Sequence, residues 1–124
     1  MKAPVKTYST PFGVMQCFEN YLVFSLKSPK ITRVEAKQII SVAETHYRKK
    51  KYVFISNRTL PASISEEAYK DINPKYMVGI AIVSSDENVR KGAVSEQGWF
   101  DGAFSFFTSL EDATDWANTV VKRS

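Results

Sequence analysis

The chain has 124 residues, 44% of them hydrophobic, about one ordinary domain with enough apolar content for a core that needs no crosslinks. Charged residues make up 24%, and glycine and proline number five each, so disorder and low-complexity repeats are excluded. The formal net charge of +4 is by itself too mild to argue for nucleic acid. Cys17 and His46 are single examples of their kinds, which rules out an internal disulfide and a zinc site built from several Cys or His ligands. No apolar run approaches the roughly 20 residues of a membrane-spanning helix, and Met1 to Lys6 lacks the apolar stretch of a signal peptide. The expected compartment is the cytoplasm.

In chain order, residues 1–10 read as a loose polar arm. Val14 to Phe18 and Tyr21 to Leu26 are β-rich runs separated by Glu19-Asn20, and asparagine tolerates the positive φ of tight turns, so an antiparallel hairpin is expected. Thr32-Arg33-Val34-Glu35 has the capping-box spacing. A helix follows, with Ala36, Ile39, Ile40, Ala43 and Tyr47 on one face. It ends at the basic run Arg48-Lys49-Lys50-Lys51, where the carbonyl end of the helix dipole favours cations. Tyr52-Val53-Phe54-Ile55-Ser56 is nearly continuous apolar chain, the pattern of a central strand covered on both faces.

After a proline-broken loop, Ser63-Ile64-Ser65-Glu66-Glu67 offers a second helix start, for a short helix that stops before Asn73-Pro74. Met77 to Val83 is the next buried strand, and Gly79 and Ala81 leave room for something to pack closely on it. Ser84-Ser85-Asp86 opens a weaker helix to about Gln97, with Gly92 as its soft point. Ala103 to Phe107 is a last strand. Thr108-Ser109-Leu110-Glu111 repeats the capping-box spacing before a closing helix with a stripe of Leu110, Ala113, Trp116, Ala117, Val120 and Val121. The order β-β-α-β-α-β-α-β-α predicts one α/β sandwich domain over residues 1–124, with helices flanking a mainly parallel sheet edged by the antiparallel hairpin.

Charge is unevenly spread: residues 1–60 hold eleven basic and three acidic groups, net +8, and the remainder six and ten, net −4. Such polarity suits an acidic protein or an anionic membrane surface as well as it suits plain solvated surface, and no sequence-specific nucleic-acid contact is expected.

The hairpin Gly13 to Val23, the helix end Glu44-Thr45-His46-Tyr47, the stretch Tyr52-Val53-Phe54-Ile55-Ser56-Asn57-Arg58, and Phe104-Ser105-Phe106-Phe107 ahead of Leu110-Glu111-Asp112-Ala113 resemble the small bacterial STAS-like proteins. These are similar to anti-sigma-factor antagonists and share architecture with the lipid-transfer CRAL-TRIO domain. The resemblance implies a non-enzymatic, regulatory module of unknown role that binds a protein partner, with a serine at a helix start after the central strand as a phosphoswitch. Ser63 and Ser65 stand near that place, without the antagonists' Asp-Ser-Ser/Thr-Gly pattern; both also fit plain helix capping.

Open α/β sheets bind ligands beyond the carboxyl ends of their parallel strands, here Ser56-Asn57-Arg58 and Ser84-Ser85-Asp86. Arg58 offers a planar fork for a phosphate or carboxylate; serine, asparagine and aspartate at such positions also make ordinary turns and caps. No triad geometry surrounds His46, no phosphate loop is present, and neither a cofactor, a metal nor catalysis is expected. The alternative to a protein partner is an apolar ligand or lipid, held in a cavity lined from the final strand and closing helix. A homodimer through the hairpin edge is also open.

Overall fold

The computed structural model describes residues 3–124. Six strands form the main sheet: β1 (Lys6–Thr10), β2 (Gly13–Cys17), β3 (Tyr21–Leu26), β5 (Tyr52–Asn57), β7 (Met77–Val83) and β8 (Ala103–Phe107), in the spatial order β1-β2-β3-β5-β7-β8. β1 pairs antiparallel with β2 and β2 with β3, whereas β3, β5, β7 and β8 are mutually parallel. Two residues each from β4 (Lys30–Ile31) and β6 (Ser63–Ile64) make a small parallel ribbon.

The helix α1 (Arg33–Tyr47) follows the ribbon's first strand, and its predicted box is present: the Thr32 backbone N–H and hydroxyl both donate to Glu35 Oε1 at 2.7 Å. Its predicted face is the buried one, Ala36, Ile39, Ile40, Ala43 and Tyr47, packed over Met15, Leu22, Phe24, Tyr52, Ile80 and Ile82. The basic run begins where α1 ends, with Arg48 and Lys49 both at positive φ. The other helix of comparable length, α3 (Leu110–Arg123), covers the opposite face over Val23, Val53, Ile55, Ala81 and Val83. A Cβ on Gly79 would lie 3.2 Å from Val120 and 3.4 Å from Trp116, so α3 is what the small residue admits.

Strand alternation explains the two cores. Phe54 and Ser56 face α1, while Val53, Ile55 and Asn57 face α3, and burial on both sides makes β5 the central strand its sequence predicts. β5 and β7 pair in parallel from Tyr52↔Met77 to Asn57↔Val83, so their exits share one rim.

Three expectations are corrected. Within the arm, Lys6–Thr10 is an edge strand; covered on one face only, it needs a single large inward residue, Tyr8, and otherwise reads as polar. Met1 and Lys2 lie outside the described residues. The short helix after Ser65 is one 3-10 turn, Glu66–Tyr69, because Ser63 and Ile64 are drawn into β6. The helix expected to run to Gln97 stops at its soft point: α2 (Glu87–Gly92) gives way to a 3-10 segment, Val94–Trp99. Both 3-10 segments lie on the α1 side of the sheet, with Ala68, Ala93 and Phe100 in that core.

Candidate functional site

The residue that leaves β5 does not face solvent. The Arg58 backbone N–H extends the ladder to the Val83 carbonyl at 2.9 Å, and its side chain turns under the 3-10 segments, where it is 5% exposed. Arg58 Nη1 and Nη2 donate to Glu96 Oε2 and Oε1, each at 2.7 Å, and Arg58 Nε donates to Ser56 Oγ at 3.0 Å. The Tyr69 hydroxyl donates to Glu96 Oε1 at 2.7 Å. This bidentate pair unites the end of the central strand with both 3-10 segments. Burial works against the charge on Arg58, but the hydrogen bonds and attraction of Glu96, with Tyr69 beside it, more than offset that and hold the guanidinium protonated. The same burial, followed by the charge of Glu96, pushes the Tyr69 phenol far above its ordinary range, so it stays a donor.

These four side chains form one wall of a pocket of about 80 Å³, partly open to solvent, whose other walls are apolar: Phe24, Ile39, Ile40, Phe54 and Ile80 lie between α1 and the sheet. This pocket is not the cavity expected against the final strand and closing helix. None of the pocket's lining comes from β8 or α3; the pocket lies on the opposite face from α3, where the 3-10 segments cover β5 and β7 less completely than a long helix would.

The other predicted residues do not converge on this wall. Ser84 is buried, its hydroxyl accepting from the Asp86 N–H at 3.2 Å and its carbonyl from Arg90 at 2.6 Å. Asp86 caps α2 by accepting from the Asn88 N–H at 2.8 Å, and Ser85 is exposed. Among the described residues no hydrogen bond links this turn to Ser56 or Arg58, and Asn57 faces the α3 side. Arg58, expected to grip an incoming anion, is already held by Glu96. Ser63 is exposed within β6. Ser65 heads the 3-10 turn without a side-chain cap bond, and its hydroxyl is buried with no partner among the described residues.

Sequence reasoning missed Glu96 and Tyr69. Glu96 had a signal: Val89, Ala93, Glu96 and Phe100 recur at helical spacing and all are buried, so a carboxylate occupies a core position and calls for a cation. Tyr69 carries no comparable mark. His46 Nδ1 bonds the Tyr8 hydroxyl at 2.9 Å, and burial, then Lys6, lowers its pKa. Burial pushes the Cys17 thiol up to about 11, the state of a packing residue. Among the described residues no helix is long and apolar enough to cross a membrane, and no cluster of His, Cys, Asp and Glu is placed to hold a metal ion.

No family profile matches the sequence, and no curated protein does. Among solved structures, the chain is similar to an uncharacterised protein of the DUF3478 family from Shewanella loihica, described as having a SpoIIAA-like fold, at 20% identity, a TM-score of 0.56 and 90% coverage of each chain. The sheet order, the antiparallel entry and the flanking helices agree with that likeness: the chain has the SpoIIAA-like, that is STAS-like, fold.

Proposed function

We propose that the chain is a non-catalytic binding module whose site is the pocket between α1 and the sheet, and that the pocket receives a small apolar molecule or the apolar end of a larger one. The observation that carries this reading is the pocket itself: apolar on most sides, partly open, with its polar wall organised into an internal ion pair. A catalytic reading finds no support there, since Arg58, Glu96 and Tyr69 are engaged with one another and no base stands beside a nucleophile. An engineered apolar cavity of about 150 Å³ takes benzene with its six non-hydrogen atoms, so this one encloses about three, and its open mouth leaves room for the rest of a slightly longer molecule. The test is titration with 2-methyl-1-butene followed by amide chemical shifts. Saturable changes at Phe24, Ile40 and Ile80 are expected, and Ala36→Leu, which fills the pocket from α1, should abolish them. No saturable change, or one indifferent to Ala36→Leu, would refute the proposal.

A protein partner at the rim is a second reading. Leu60, in the loop between β5 and β6, is 74% exposed, and Val94, two residues before Glu96, is exposed as well. Both stand beside segments that wall the pocket. Leu60→Asp with Val94→Asp should remove a partner captured by the wild-type chain, and unchanged capture would dismiss this surface.

A further inference from the structure

The polar wall narrows what the pocket accepts, on the footing of the apolar-site reading above. A guanidinium has five N–H donors. Three of them meet Ser56 and Glu96, and the Tyr69 hydroxyl couples to the same group, which leaves at least one N–H of a nearly buried cation without a partner among the described residues. Arg58 lines the pocket, and a buried donor left without an acceptor favours one strongly. The charge, however, is already balanced, because Glu96 neutralises Arg58 at both nitrogens. An incoming anion would add a net buried charge and face the Glu96 carboxylate, whereas a neutral oxygen adds none.

We propose that the pocket takes a small neutral carbonyl compound of the short-chain ketone class, its carbon skeleton against Phe24, Ile40, Phe54 and Ile80 and its oxygen accepting from Arg58. Size, apolar lining and a spare donor in a neutral pair each point to that class, and none of the three alone would.

The experiment compares butanone with its hydrocarbon isostere 2-methyl-1-butene and with butyrate, on wild type and on Arg58→Met/Glu96→Met. The double variant removes the wall while keeping apolar volume. A charged-donor hydrogen bond is worth about a tenfold or larger factor in affinity. The preference for butanone over the alkene should therefore fall at least about tenfold in the variant, and butyrate should bind wild type more weakly than butanone. The direct readout is the Arg58 side-chain nitrogen signal in the wild type, which should shift with butanone and not with the alkene. Equal ketone preference in both proteins, tighter butyrate, or an Arg58 signal indifferent to butanone would overturn the proposal. If the alkene alone binds, the apolar site stands and the carbonyl class fails; if neither neutral probe binds, both fail.

Discussion

Removing one member of the Arg58–Glu96 pair should have consequences that differ in pH dependence according to which member is lost. Both side chains are nearly sealed, 5% and 4% exposed, so either single change leaves an uncompensated buried charge at a cost of about 3–5 kcal/mol. The two orphans have unequal escapes. Arginine does not deprotonate in proteins, so Glu96→Met leaves a charge that no accessible pH removes, together with an unmatched Tyr69 hydroxyl. Arg58→Met leaves a carboxylate that can take a proton. At 1.36 kcal/mol per unit, the gap between an ordinary Glu near 4.3 and pH 7 caps that penalty at about 4 kcal/mol.

In Arg58→Met the buried Glu96 carboxyl has lost its cation, and burial then favours its neutral form. Its deficit relative to wild type should then be largest near neutrality and shrink by up to about 1.4 kcal/mol per unit as pH falls toward 5. The Glu96→Met deficit should stay flat over the same range. Arg58→Met/Glu96→Met should recover most of either loss, giving a coupling of several kcal/mol. Urea unfolding at pH 7 and pH 5 measures all four proteins by the fluorescence of Trp99, which packs edge-on to Tyr69 at 5.9 Å, and of Trp116 on the α3 side. If Glu96→Met costs under about 1 kcal/mol, or both single variants share one pH profile, the pair behaves as a surface ion pair and not as a buried one.

The remaining predictions probe how the pocket's frame is held. The Tyr47 hydroxyl shares its single proton between the carbonyls of Tyr21, at 2.6 Å, and Phe18, at 3.0 Å, and ties the hairpin turn to α1; Tyr47→Phe should cost about 1–3 kcal/mol by chemical denaturation. A Cβ at Gly13 would run into the Ser25 carbonyl and the Phe24 ring, so Gly13→Ala should cost about 1–3 kcal/mol and loosen amide exchange along β2 and β3. The pKa of His46 is lowered in the folded chain, so stability should be full above the ordinary histidine value and decline as pH falls through the folded value. His46→Gln should flatten that decline.

Local signals were strong enough in the sequence to place most elements. The capping box at Thr32 and Glu35, the α1 stripe and the doubly covered β5 depend on neighbours three or four residues away or on strand alternation, and all stand where the pattern puts them. β1 was illegible because an edge strand covered on one face needs few apolar residues, and β6 because two residues carry no period. The site was legible only in part. Arg58 and Ser56 were singled out at the end of a parallel strand, but which way the arginine turned depended on Glu96, 38 residues further along the chain.

What the sequence alone determined, then, is the alternation of elements and the faces they bury, since those follow from short-range periodicity. The tertiary structure decided whether a charged side chain meets water or its counterpart, and on which face of the sheet the packing falls short. Those outcomes depend on how segments far apart in sequence fill one volume, and no local pattern encodes that volume.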